Sequence, residues 1–574
     1  MANGDPLYVV PALLGSFIVV FGLFSMTIKE RLFLSESLVS TVYGIIIGPI
    51  ALNLVDPGEW RSAPESAAAA DADDAFSKLT MMLARVTIAI SVMAAGIALP
   101  KAYLRREWKS LLMLLVPVMS SMWLLGAGIL MMFFRLPFLD ALLISGCIAP
   151  TDPVLSNSIV KGHFAERYVP THVRDIISAE SGANDGLGFP WVTFALFMLR
   201  ASRPDDATIA DHYSTGHAIA KWFYAVWAYQ ILLSIVIGVV VGYVARKVVR
   251  FAESRDLIDK ESFLSFAIAL TLAMLGSIAL MGSDDILAIF IAGNSFTWDD
   301  WFRIETKDAH LQEVFDMLFN TTFFVYFGTT IPWHAFTDAA RGLSAGKLAA
   351  AAALMLTVRR LPIVMLLQKL TPALRNSREA LFAGFFGPIG AGAVFYEMIA
   401  FEEMHKEGPR DHHGAYGFLH PVVSFMVLSS ILVHGFTVPL FLLGKSGVRK
   451  VRTRTLQNER IARMLPRLRP GQQIVIRRKE EADSEKMEQA EDGGGIEVNI
   501  DDEAQAESAL PSDTISTPVQ TPGYQALDRT FTCDTHAGSE TAAASEAGEQ
   551  PNSSSTSPSV TINVVPVSQP NIHN

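Results

Sequence analysis

Long apolar runs follow one another through the first 445 residues, and they restrict the possible folds more than any other feature of the chain. A transmembrane helix needs about 20 mostly apolar residues to cross a hydrocarbon core of about 30 Å. Several runs reach or exceed that length, whereas a helix of a soluble protein would alternate apolar and polar faces. Of all residues, 50% are hydrophobic and only 18% are charged. The sequence therefore predicts an all-α polytopic membrane protein.

Thirteen apolar segments are predicted to span the membrane, and we number them as spans 1 to 13. No basic residues precede span 1, as they would in a cleavable signal peptide, so we expect span 1 to remain as a helix. The spans cover residues 7–28, 36–55, 77–99, 107–134, 137–160, 175–200, 220–250, 261–281, 284–297, 313–333, 347–369, 377–402 and 418–443.

The positions of Lys and Arg in the loops predict the orientation of these spans, because cytoplasmic loops retain positive charge. Alternate loops are basic, and the loops between them are acidic or mixed. With an odd number of spans, this pattern predicts an external N-terminus and a cytoplasmic C-terminus. The basic loops lie at residues 29–31, 101–109, 161–174, 246–260, 303–307 and 369–378.

Charge divides the chain into three regions. Residues 1–445 hold the spans and carry a net charge of −5, residues 446–479 carry +10, and residues 480–574 carry −16. The basic juxtamembrane segment could bind anionic lipid, although an ordinary basic flank explains it equally well. The acidic segment has few large apolar residues, which predicts a disordered cytoplasmic tail with a regulatory role.

Span 5 contains two prolines, Pro150 and Pro153, around Thr151 and Asp152. A regular helix cannot continue through both prolines, since each lacks a backbone donor and clashes with the preceding turn. We expect an unwound segment here, which survives at membrane depth only inside protein or beside a wet cavity. A simple proline kink is the alternative interpretation.

Span 6 concentrates oxygen-bearing side chains: Glu180, Ser181, Asn184 and Asp185. Glu180 and Asn184 are one helical turn apart, as are Ser181 and Asp185, so each pair can share a helix face. Hard cations prefer oxygen ligands, and no set of His or Cys residues indicates a transition metal. The cluster therefore predicts a site for a cation such as Na⁺, with a polar helix end as the alternative.

Span 12 is interrupted at Gly387 and Pro388. It comes seven spans after span 5, and seven is odd, so the two segments cross the membrane in opposite directions. Inverted repeats of transporters have this relationship. Small residues that allow close helix packing are the competing explanation.

Charged residues in two further spans have open interpretations. Arg359 and Arg360 lie inside span 11, where a buried guanidinium would require a carboxylate partner such as Glu180 or Asp152. Asp284 and Asp285 begin span 9, where a surface loop and a second carboxylate site are equally compatible with the sequence.

Four motifs together resemble a known transporter family. They are TDPVLSNSIVKGHFAERYVP, RDIISAESGANDG, GSDDILAIFIAG and GFFGPIGAGAVFY. They are similar to motifs of the fungal plasma-membrane sodium(potassium)/proton antiporters, which belong to the monovalent cation/proton antiporter superfamily. The likeness covers residues 5–445 approximately. It implies two crossing discontinuous helices, a homodimer, and an elevator-like motion of a core against a dimerisation domain.

The resemblance also implies roles for individual residues. Asn184 and Asp185 match an Asn-Asp pair whose aspartate binds the ion and the proton alternately. Thr151 and Asp152 match the unwound crossing segment. The family's helix carboxylate, which pairs with a buried arginine, corresponds here to Glu180, with Arg359 or Arg360 as its partner. The family's accessory acidic pair corresponds to Asp284 and Asp285.

The function expected from this resemblance is exchange of cytosolic Na⁺, with Li⁺ and K⁺ as further candidates, for external H⁺. An Asn-Asp pair is the family's pattern for electroneutral exchange, and such exchange would support sodium tolerance and pH homeostasis. A cation channel and a sodium-coupled symporter are the alternatives. We find no metal-binding histidine motif, phosphate-binding loop or nucleophile elbow, so we expect neither an enzyme nor a cofactor, and no nucleic-acid partner.

Overall fold

The computed structural model describes residues 6–57, 68–160, 168–202, 214–306, 311–405, 414–446, 472–478, 497–500 and 560–566. The chain divides into two compact units, residues 1–449 and residues 450–574. The predicted basic segment and acidic tail lie mostly outside the described residues, so the expected disorder of the tail stays a prediction.

Every described element of the first unit is a helix. In its first half the α-helices are Pro6–Met26, Glu36–Ile47, Ala68–Ala98, Tyr103–Arg106, Trp108–Met113, Met119–Phe134, Phe138–Cys147, Pro153–Val160, Thr171–Asn184 and Phe189–Ala201. In its second half they are Thr215–Lys221, Leu233–Ser254, Lys260–Leu280, Asp285–Phe296, Trp301–Glu305, Leu311–Thr330, Ala345–Val358, Leu361–Leu367, Ser377–Phe385, Ala391–His405 and Tyr416–Ser446. Short π-helical or 3₁₀ segments occupy Thr27–Arg31, Leu114–Val118, Trp222–Leu232, Trp333–Thr337, Ala339–Arg341 and Gln368–Leu370.

The predicted spans agree with these helices, because each span overlaps one helix, a continuous run of helical segments or an interrupted pair. The helix of span 2 is shorter than predicted and ends at Ile47. Seven helical stretches in the described part are long and apolar enough to cross a membrane. They correspond to spans 1, 3, 4, 7, 8, 11 and 13. The prediction of an all-α polytopic membrane protein is thus confirmed for the first unit.

The two predicted discontinuous helices are also confirmed. Span 5 consists of the helices Phe138–Cys147 and Pro153–Val160, and span 12 of Ser377–Phe385 and Ala391–His405. Pro153 is the first residue of its helix, where a backbone N–H would have no partner within the helix, so the proline loses no hydrogen bond. The two breaks meet, since the Asp152 backbone N–H donates to the carbonyl of Pro388 at 2.9 Å.

Span 6 contains an interruption that the sequence did not predict. Its first helix ends at Asn184 and its second begins at Phe189, with a turn between them. Pro190 lies at the start of the second helix. Because proline has no N–H, it cannot donate to the carbonyl four residues earlier, that of Gly186. The helical ladder is therefore interrupted directly after the Asn184-Asp185 pair.

The helix of span 9, Asp285–Phe296, packs between span 3 and the Leu233–Ser254 helix of span 7. Small residues allow this close approach. A Cβ atom added to Gly293 would lie 3.0 Å from the backbone oxygen of Met93 in span 3. This packing holds the span 9 helix, and two aspartates lie at the start of that helix.

The second unit contains three described strands: β1 (Gln472–Arg478), β2 (Glu497–Ile500) and β3 (Val560–Pro566). They form an antiparallel sheet in the order β1-β3-β2. Gln472 lies opposite Pro566 in the first pair, and Glu497 lies opposite Asn563 in the second.

Candidate cation site

The side-chain amide of Asn184 joins span 6 to the break in span 5. Its Oδ1 accepts the backbone N–H of Thr151 at 3.1 Å, and its Nδ2 donates to the hydroxyl of Thr151 at 2.6 Å. Both residues are buried. The amide therefore holds the unwound segment by its backbone and by its side chain at once.

Two serines extend this polar cluster. The Ser181 hydroxyl lies 3.4 Å from that of Thr151 and 3.1 Å from that of Ser156. Ser156 was not predicted, although its position one helical turn after Asp152 in a polar segment was a usable signal. The cluster brings together three hydroxyl groups and one amide, all from neutral side chains.

Asp152 has both carboxylate oxygens engaged by backbone N–H groups. Oδ1 accepts from Val154 at 2.6 Å and from Leu155 at 3.4 Å, both in the first turn of the Pro153–Val160 helix. Oδ2 accepts from Ala391, the first residue of the Ala391–His405 helix, at 2.7 Å. Asp152 thus caps two half-helices at their N-termini, where the helix dipole favours negative charge.

Asp185 has a different environment. Its side chain is 1% exposed, and neither carboxylate oxygen has a hydrogen-bond partner among the described residues. Buried polar groups are nearly always hydrogen-bonded, and an unpaired buried charge is costly. Asp185 therefore offers two free oxygens beside Asn184, and it differs in this respect from Asp152.

The break in span 12 provides room for the charged side chains around it. Three glycines in or directly after the break face such side chains so closely that an added Cβ atom would collide with them. The pairs are Gly387 with Arg360, Gly390 with Asp152, and Gly392 with Asp185. The glycine-rich motif GPIGAG is thus needed for space as well as for the break itself.

The structure pairs Glu180 with Arg360. Both side chains are buried, and the guanidinium contacts the carboxylate with two nitrogens, Nη1 to Oε1 at 2.5 Å and Nη2 to Oε2 at 2.6 Å. The Arg360 Nε also donates to the carbonyl of Ala383 at 3.1 Å. Arg359, left open as the alternative, donates instead to the carbonyl of Ile148, and its Nε has no partner in the described part of the chain.

The two arginines lie at the C-terminal ends of two half-helices. Ile148 directly follows the Phe138–Cys147 helix of span 5, and Ala383 is in the last turn of the first helix of span 12. The last carbonyls of a helix lack internal partners, and cations are favoured beside them. The two adjacent arginines of span 11 thus bind the C-terminal ends of the first half-helices of span 5 and span 12.

Asp284 and Asp285 are buried at the start of the span 9 helix, which excludes the surface-loop interpretation. Asp284 caps this helix by accepting the N–H of Leu287 at 3.0 Å. Asp285 forms an ion pair with Arg85 of span 3, whose Nε and Nη2 lie 2.7 Å and 2.6 Å from Oδ2. Arg85 was not predicted, although an arginine within an apolar span is itself a signal.

Comparisons with known proteins agree with this architecture. Residues 16–444 match the family model described as sodium/hydrogen exchanger, transmembrane. The chain belongs to this family. Such exchangers are transporters and not enzymes.

Two relatives illustrate the similarity within the sodium/hydrogen exchanger family. A probable Na(+)/H(+) antiporter of Schizosaccharomyces pombe is 38% identical over 483 residues, and the Na(+)/H(+) antiporter of Saccharomyces cerevisiae is 35% identical over 455 residues. The matches cover 81% and 76% of this chain. They cover only 60% and 44% of the relatives, so the chain spans about half of their length.

A solved structure supports the fold of this family member. The sodium proton antiporter MjNhaP1 of Methanocaldococcus jannaschii, determined at pH 8, superposes with a TM-score of 0.55. The match covers 76% of this chain and 99% of that protein, at 16% sequence identity. At this identity the likeness is one of fold.

Proposed function

We propose that this protein is an antiporter that exchanges cytosolic Na⁺ for external H⁺, with Asp185 as the group that holds the cation and the proton in turn. The names of the two fungal relatives support this activity. The observation that carries the assignment to Asp185 is its buried carboxylate, which has no hydrogen-bond partner among the described residues. Glu180 and Asp285, by contrast, are held by arginines.

Exchange at this site follows from the chemistry of one carboxylate. Asp185 can be neutralised by one proton or by one monovalent cation, so the two compete for the same oxygens. The site carries equal charge with either occupant, which makes the exchange electroneutral. Asn184, Thr151 and Ser181 supply further oxygens for a hard cation, and Asp152 contributes through the helix ends that it caps. Li⁺ and K⁺ are candidate substrates of the same site.

The wider assignment follows the family. We infer a multi-pass plasma-membrane protein with an external N-terminus, a cytoplasmic C-terminus and a homodimeric assembly in lipid. Alternating access would move the crossing of spans 5 and 12 relative to the dimerisation region. The roles inferred are sodium tolerance and the homeostasis of cations and pH, with regulation by the tail beyond residue 480.

The proposal is tested in proteoliposomes that contain the full chain and a trapped pH indicator. A Na⁺ gradient should drive proton movement in the opposite direction. Asp185→Asn keeps the size of the side chain but removes the titratable charge, so it should abolish the proton movement. The matched control is Asp299→Asn, which should exchange normally. Asp299 is partly exposed, and its carboxylate pairs with Arg250 at 3.0 Å and not with a residue of the candidate site.

Three results would contradict the proposal. Near-normal exchange by Asp185→Asn would exclude the single-carboxylate mechanism. Na⁺ flux without opposite proton flux would indicate a channel. Na⁺ flux that depends on an organic solute would indicate a symporter.

A further inference from the structure

Tyr396 lies behind the interruption in span 6 and contacts three of its backbone groups. Its hydroxyl donates to the carbonyl of Asp185 at 2.5 Å, with the carbonyl of Gly186 3.0 Å away as a second acceptor. The same oxygen accepts the backbone N–H of Gly188 at 3.1 Å. The side chain is fully buried, and it comes from the Ala391–His405 helix of span 12.

These contacts replace bonds that the interrupted helix cannot make. Pro190 has no N–H for the carbonyl of Gly186, and buried backbone groups need partners. A phenolic hydroxyl is suited to this role, because it can donate and accept at the same time. The Tyr396 hydroxyl thus replaces backbone hydrogen bonds of a regular helix across the turn that carries Asp185.

The same helix contacts Asp185 at a second point, one turn earlier. Gly392 lies against the Asp185 carboxylate so closely that a Cβ atom there would collide with it. Residues 392 and 396 are four positions apart and share a helix face. Span 12 therefore lies against both the side chain and the backbone of Asp185.

We propose that Tyr396 is a positioning residue for the cation site: its hydroxyl holds the backbone turn of residues 185–188, and through it the carboxylate of Asp185, against span 12. This inference rests on the proposed function of Asp185. A hydroxyl that merely satisfied buried backbone groups would affect stability alone. A positioning hydroxyl also sets the affinity for Na⁺ and the competition with protons.

The test is Tyr396→Phe, which removes the hydroxyl and keeps the ring. The ring contacts with Phe189 and Phe395, at centroid distances of 5.4 Å and 5.2 Å, should remain. We expect the KM for Na⁺ to rise on the order of 3- to 10-fold, as for the loss of one or two neutral hydrogen bonds, with little change in maximal rate. The pH dependence of that KM should shift as well.

The matched control is Tyr43→Phe, which also removes a hydrogen bond from a tyrosine hydroxyl to a backbone carbonyl, that of Leu13 at 3.0 Å, at a partly buried position. It should leave the KM and its pH dependence unchanged. Gly188→Ala provides a second variant if Tyr396→Phe fails to fold, because its Cβ atom would press on the Tyr396 ring and displace the hydroxyl. It should raise the KM in the same direction.

Binding is measured separately from transport, as the Na⁺-induced rise in thermal stability of the purified protein. Tyr396→Phe should need higher Na⁺ for the same rise. If wild type exchanges Na⁺ for H⁺ and Tyr396→Phe keeps the wild-type KM, pH profile and Na⁺ response, the inference is overturned, even if its thermal stability is lower. If the wild type itself moves no protons against Na⁺, the proposed function fails instead.

Discussion

Removing either partner of the Glu180–Arg360 ion pair should destabilise the crossing strongly, whereas the neighbouring Arg359 makes a different contact. Both charges of the pair are buried, with side chains 2% and 4% exposed, and they are joined by two nitrogen–oxygen contacts. Removing one partner leaves the other as a buried unpaired charge, which typically costs about 3–5 kcal/mol. Glu180→Gln and Arg360→Met should each lose about this amount.

A double-mutant cycle tests this assignment. Because the double variant Glu180→Gln/Arg360→Met leaves no unpaired charge, it should be destabilised by less than the sum of the two single variants. The coupling should reach about 2–3 kcal/mol, near the upper end for contacting residues. In the corresponding cycle, Glu180→Gln and Arg359→Met should show a coupling energy of less than about 1 kcal/mol. Thermal and denaturant unfolding in detergent measures each variant, and a stronger coupling of Glu180 to Arg359 would refute the pairing.

Two further predictions concern span 3 and the topology. Arg85→Met and Asp285→Asn should each lower the free energy of unfolding by roughly 1–3 kcal/mol, because each removes a charge-assisted hydrogen bond. The double variant should lose less than the sum of the two. Additive losses in thermal unfolding would contradict the pairing. In intact cells, an epitope tag at the C-terminus should be protected from antibody and a tag inserted next to Ala68 should be accessible, and the reverse labelling would invert the proposed topology.

The helices and the two predicted breaks could be read from the sequence because they depend on local chemistry. Apolar length predicts a span, and the two prolines of span 5 or the Gly-Pro pair of span 12 predict an interruption wherever they occur. The acidic and amide residues of span 6 were recognisable for a similar reason, since polar groups within an apolar span are costly unless they are used.

The partners of those residues could not be predicted, because they are set by packing between distant spans. Arg359 and Arg360 are adjacent in sequence, yet they bind the ends of different half-helices, and no local pattern distinguishes them. Pro190 is a local signal for the turn after Asp185, but the contact of that turn with the Tyr396 hydroxyl depends on packing against span 12. Sequence distance, here more than 200 residues between Asp185 and Tyr396, hides such contacts.

The charges at the crossing leave Asp185 in a distinct position. Asp152 serves the N-termini of two half-helices, and the two arginines serve the C-termini of the other two, so each dipole end meets a charge of the favourable sign. The negative charges of Asp152 and Glu180 offset the positive charges of the two arginines. The charge of Asp185 is additional, and no described hydrogen bond compensates it. A proton or a monovalent cation can supply that compensation, which is why a single carboxylate in this setting suits the exchange of one for the other.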